Sequence, residues 1–192
     1  MAEIKSTMEK VMERLAAMDS AAAPDELLAD EKKKEGMRTA AAFLRNEDVS
    51  LTGVLADQSE SAKKYLVAGQ VEAFLRNILL PREEEQQTMA ERAMLGLLTV
   101  GHADEELVPV FGELKSVLDR YLEHRNQIRQ QLLDHFSKQI EQLQASGQGK
   151  SMRPEQHPKF QEEWHRAMGE LDNQYGRALT QYKELVQKRL TM

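Results

Sequence analysis

The sequence contains no cysteine, which excludes a disulfide framework, a thiolate metal site and a cysteine nucleophile. Aromatic residues make up only 5% of it, and with 5 prolines and 10 glycines there are few points at which a helix must break. No apolar run approaches the roughly 20 residues needed to cross a bilayer. The opening Met-Ala-Glu-Ile-Lys-Ser-Thr-Met is charged where a secretory signal would be apolar. An excess of positive charge is lacking too: the net charge is −6, and neither half is basic enough for a nucleic-acid footprint. These absences lead to the expectation of a soluble, cytoplasmic chain that binds neither membrane nor nucleic acid.

What the chain does have is charge, at 30% of residues, arranged around helical apolar stripes. The longest runs through Leu107, Phe111, Leu114, Leu118, Tyr121, Arg125, Ile128, Leu132, Phe136, Ile140 and Leu143, in steps of three and four that place one face along a helix. A second follows in Phe160, Trp164, Met168, Leu171, Tyr175, Ala178, Tyr182 and Leu185. Between them, residues 145–158 are rich in glycine, proline and serine. The pattern predicts a long antiparallel helical hairpin, coiled-coil-like, over 102–192 with its loop near 145–158. Matching the two stripes sets Leu143 against Phe160, Leu132 against Leu171, Ile128 against Tyr175, Tyr121 against Tyr182 and Leu118 against Leu185. Arg125 then falls beside Ala178, its stem along the seam and its head in water.

Residues 1–101 are read as an N-terminal helical bundle. Ile4, Met8, Val11, Leu15 and Met18 form a methionine-rich first stripe, adaptable to an irregular partner surface. Pro24-Asp25-Glu26 opens a helix that reaches Leu44, with Met37, Ala40 and Ala41 giving a small-residue face. Its Lys32-Lys33-Lys34 run is interleaved with Asp30, Glu31 and Glu35 and reads as a solvated face. A short helix is expected over 51–56. A longer one runs from Ser59 or Ser61 to about Leu80, closed by Pro81, and another from Glu83 to Gly101. Asp104 is placed as the cap of the long helix, with Pro109 about one turn inside it. No segment reads as a strand, so the fold class is all-α.

Candidate chemistry is sparse. Gly147-Gln-Gly-Lys-Ser151 resembles the end of a phosphate-binding loop, but the glycine required five positions before Gly149 is Gln144, and a helix precedes it instead of a strand. Glu162 and His165 share one helix face, as in carboxylate-bridged metal bundles, yet no second Glu-x-x-His occurs. No Ser/His/Asp set suggests itself, so no catalytic residue, cofactor or metal is assigned. The loop gathers Lys150, Met152, Arg153 and Lys159 on an otherwise acidic chain, which marks it as a contact for an acidic or mixed protein surface. The sequence thus points to a non-enzymatic scaffold, adaptor or assembly factor, binding other proteins or itself as a homo-oligomer. The alternative is a metal- or ligand-binding bundle using Glu162 and His165.

Overall fold

A computed structural model describes residues 24–102, 104–146 and 152–191, and every regular element among them is helical. The fold is all-α. In chain order the elements are α1 (Pro24–Leu44), a 3-10 turn (Gly53–Leu55), α2 (Glu60–Asn77), α3 (Glu84–Val100), α4 (Leu107–Ala145), a second 3-10 turn (Pro154–Gln156) and α5 (Pro158–Thr191). The stripe from Ile4 to Met18 lies outside the described residues.

The chain divides into two compact units between Ala73 and Phe74, inside α2, whereas the sequence reading set its division at residue 101. The reason is visible in the bonds of α3. Lys115 of α4 pairs with Glu91, the Gln87 amide bonds Asp119, and the ring of Phe74 lies directly over Gly96. Residues 74–101 therefore pack with the long helices.

In the first unit, α1 crosses α2 at unusually close range. A Cβ built on Gly36 would lie 2.1 Å from the Leu66 carbonyl oxygen, and one on Gly69 would lie 2.1 Å from the Lys33 carbonyl oxygen. Only glycine at both positions lets the backbones approach so far. Ala40 and Leu44 of α1 and Leu66 and Val71 of α2 are buried. Gln70, fully buried, donates through Nε2 to the Leu51 carbonyl at 3.0 Å and ties the stretch just before the 3-10 turn to α2. Each lysine of the basic run has an acid: Lys32 with Glu35, Lys34 with Asp30, and Lys33 across to Glu72 at 2.7 Å.

In the second unit, the helical part of α2 stops at Asn77, three residues short of the expected Leu80. Pro81 explains part of this, because a residue before proline is forced out of the helical region. Ile78 is fully buried and its carbonyl accepts a 3.0 Å bond from Lys183 Nζ, which caps the helix end from α5. At the start of α4, Asp104 Oδ1 accepts the Glu106 N–H and its carbonyl accepts the Leu107 N–H. The helix proper begins at Leu107, so Pro109 sits in the first turn, where its missing N–H costs nothing.

Helices α4 and α5 run antiparallel, in a register that differs from the sequence reading by one heptad. Tyr175 meets Tyr121, not Ile128, with ring centroids 5.5 Å apart. Phe160 meets Phe136, not Leu143, at 5.8 Å. A heptad stripe superposes on itself after seven residues, so apolar matching alone leaves both registers open. The polar ends of the tyrosines break the tie. Tyr121 donates to Asp172 at 2.6 Å, Tyr175 lies 2.6 Å from His124 Nδ1, and Tyr182 donates to Glu113 at 2.8 Å. Each such bond contributes about 0.5–1.5 kcal/mol, and a seven-residue slip would lose all three. The α5 seam also drifts from the expected positions. Leu171, Leu179 and Val186 are buried, while Leu185 is turned outward. A straight helix of 3.6 residues per turn gains on a 3.5-residue repeat, so the buried stripe moves by one position over this length.

Candidate functional site

At the loop end of α4 and α5, the ring of Phe136 is sealed against His157 at 4.8 Å and Phe160. The turn between them is held by the Arg153 N–H donating to the Gln156 side chain at 3.2 Å. Met152, Arg153 and Lys159 are all exposed beside this anchored turn, while Lys150 lies outside the described residues. Arg129 reaches Glu155 at 3.8 Å, so part of the loop's charge is already engaged by α4.

At the opposite end, the first turns of α4 and the last turns of α5 enclose an open groove of about 410 Å³ lined by Leu107, Val110 and Leu185, with Glu106, Lys188 and Arg189 around it. Arg189 clamps the two helices by bonding Asp104 at 2.9 Å and Glu106 at 2.7 Å. That guanidinium holds the Asp104 carboxyl below the usual carboxylate range. Leu185 on the groove is 50% exposed and the neighbouring Val108 is 53% exposed.

A third concavity, of about 370 Å³, lies midway along the pair. Its lining comes from Arg82 of the α2–α3 connection, Tyr121 and Arg125 of α4, and Trp164, His165, Met168, Gly169 and Asp172 of α5. Arg125 holds the centre. Its guanidinium carbon sits 5.3 Å from the centroid of the Trp164 ring, and Nη1 donates to the Arg82 carbonyl at 2.7 Å. The sequence reading placed this arginine beside Ala178 with its head in water. The observed register brings it to Trp164 instead. Tyr121 closes the back of the cleft. Burial pushes its phenol up to about 12, assisted by Asp172, while the Arg125 and Arg82 charges act in the other direction. A second trough continues from it and shares Arg82, Arg125 and Trp164, adding Arg129, Asn126, Glu83, Glu155 and Gln161.

Glu162 and His165 are both exposed, and His135 is bonded to Gln139 of its own helix at 3.0 Å. Among the described residues no three His, Asp or Glu side chains gather into a metal-sized cluster. His165 stands at the lip of the arginine cleft. Nothing in the sequence marks Arg82, Tyr121 and Asp172 as site residues, because they meet only through tertiary packing. The signal available was the polar break at Arg125 in an apolar stripe, together with the sequence's single tryptophan.

No helix among the described residues is long and apolar enough to cross a membrane. Comparison with curated proteins and with solved structures gives no match. The model of DUF6657, a family of unknown function, matches residues 52–188, more than two thirds of the chain, and the chain belongs to that family. The matched span contains every residue of the arginine cleft.

Proposed function

We propose that this member of DUF6657 is a non-catalytic helical interaction protein, a scaffold, adaptor or assembly factor of the cytoplasm that binds other proteins or a second copy of itself through its helical faces. The observation that carries the reading is the apolar groove at the open end of α4 and α5. Leu107 and Val110 form its floor, and Leu185 stands half exposed beside it. Apolar surface gathered in a concavity and rimmed by charge is the form of a protein contact. The rim supplies both signs, Glu106 against Lys188 and Arg189, which suits a helix carrying mixed charges along its edges. The exposed Met152, Arg153 and Lys159 provide a second contact at the other end. A cysteine-free composition accords with a reducing compartment.

The test compares the native chain with Leu185→Glu by sedimentation velocity and by chemical cross-linking in source-cell extract. Leu185 is outward-facing, so the variant should keep its helicity, and circular dichroism checks this. Loss of self-association or of a stoichiometric cross-linked partner in the variant supports the reading. A native chain that is monomeric and cross-links to nothing refutes it. Alanine at Met152, Arg153 and Lys159 then separates the loop end from the groove.

A further inference from the structure

The cleft at Arg82, Arg125 and Trp164 is built more firmly than packing requires. An arginine in a helical seam ordinarily lays its stem on apolar neighbours and sends its head to water. Here the Arg125 head is turned across Trp164 and fastened to the Arg82 carbonyl at 2.7 Å. That bond occupies one of the five guanidinium donors and sets the plane of the fork. Arg82 lines the same cleft, its charge acts with that of Arg125 on the Tyr121 phenol there, and among the described residues neither arginine is ion-paired with an acid. Asp172, the one acid lining this part of the cleft, accepts the Tyr121 hydroxyl. Two positive charges in one concavity repel each other, and an anion between them would relieve that repulsion.

We propose that this cleft is a binding site for a carboxylate group, held by Arg82 and Arg125 with the carbon stem of the ligand along Trp164 and Met168. The planar fork of a preorganised arginine matches a carboxylate through two parallel hydrogen bonds. A single negative charge fits better than a phosphate dianion. Asp172 lines the cleft, and Glu83 and Glu155 line the trough that continues it, so a second charge would meet them. Gly169 opens the lip, since a Cβ built there meets nothing within 4 Å. The carboxylate has two possible sources with the same chemistry: a free organic acid, or a glutamate or aspartate side chain of an approaching protein segment.

Trp164 is the only tryptophan in the sequence, so its fluorescence, excited selectively over that of the 4 tyrosines, reports on the cleft and the trough that continues it. The full chain is titrated at constant ionic strength with glutarate and with a short capped peptide carrying one glutamate. Glutaramide, the glutamine peptide and inorganic phosphate serve as controls. The expected result is a saturable change with a carboxylate probe and none with its amide. Affinity should fall about tenfold or more in Arg82→Gln and in Arg125→Lys, the loss expected for a charge-assisted bond and for a fork replaced by a point charge. Arg82 is exposed and its carbonyl survives substitution, so Arg82→Gln leaves the Arg125 anchor and the fold in place. Saturation by glutarate assigns a free acid, and saturation by the peptide alone assigns a partner's acidic side chain. The proposal is overturned if neither probe saturates, if the amides or phosphate bind as well, or if Arg82→Gln binds undiminished.

Discussion

Alanine in place of Gly36 or Gly69 should destabilise the first unit, although the same change in an open helix stabilises. An exposed helical Gly→Ala change gains about 0.5–1 kcal/mol, because glycine loses the most backbone freedom on folding. At Gly36 the new Cβ would lie 2.1 Å from the Leu66 carbonyl oxygen, and at Gly69 the same distance from that of Lys33. Both obstacles are backbone atoms of a facing helix, so no rotamer change relieves them and the two helices must separate. Overpacking of this kind costs about 1–3 kcal/mol, and moving α1 off α2 also disturbs the burial of Ala40 and Leu66. The net expectation is a loss of about 1–2 kcal/mol at either position. Gly112 and Gly176 provide the contrast, since a Cβ at each meets nothing within 4 Å. Alanine there should gain about 0.5–1 kcal/mol. Urea unfolding followed by circular dichroism gives the midpoints, and amide hydrogen exchange assigns any loss to α1 and α2. If Gly36→Ala raises the midpoint as Gly112→Ala does, the close crossing is wrong.

Two further predictions concern pH. Tyr121 has its phenol raised to about 12, so its buried neutral form contributes stability that is complete below about pH 10 and lost as pH rises through about 12. Ultraviolet titration should find it the last of the 4 tyrosines to ionise, and Tyr121→Phe should flatten the alkaline loss of stability. Ionisation of all four together near pH 10 would refute its burial against Asp172. Lys183 runs the opposite way. Burial lowers its pKa from 10.5, so between the lowered value and 10.5 the unfolded chain binds more protons and stability rises with pH. Lys183→Met should abolish that rise while also removing the bond that caps α2 at Ile78, and an unchanged pH profile in the variant would count against the buried position.

How far the sequence could be read depended on whether the determining forces were local. Pro24, Leu44 and Gly101 bound helices where they were expected, because capping acids, prolines and glycines act within a turn of themselves. The solvated reading of Lys32-Lys33-Lys34 had its acids in plain view, apart from Glu72 on the facing helix. The register of α4 against α5 was another matter, since two apolar stripes of the same period fit equally well one heptad apart. The tyrosine hydroxyls decide between the two fits, and their partners Asp172, His124 and Glu113 carry no mark in the sequence. Gly36 and Gly69 are not legible in the sequence for a related reason. A single glycine in a helical pattern reads as a small local cost, and only the facing backbone shows why it is needed.

The same register accounts for the arginine cleft. Buried side chains of α4 fall into two groups, Leu107 to Tyr121 and then Phe136 with Ile140, separated by a stretch in which Arg125, Ile128 and Leu132 are only half-buried. Read along the sequence, Arg125 is a polar residue tolerated in a long seam. Placed against α5 it falls where the first apolar group ends, and Trp164 turns its ring to the guanidinium. An apolar residue at that position would extend the seam and close the cleft. Arginine keeps the concavity open, carries charge into it, and takes its orientation from the Arg82 carbonyl on the far side of α3 in the chain. A seam maintained only for stability has no use for that arrangement, since replacing such a group by a well-packed apolar residue is often neutral or stabilising. Arg125→Leu is therefore expected to leave the unfolding midpoint level or higher while abolishing the carboxylate response of Trp164. A collapse in stability would instead make Arg125 a structural residue.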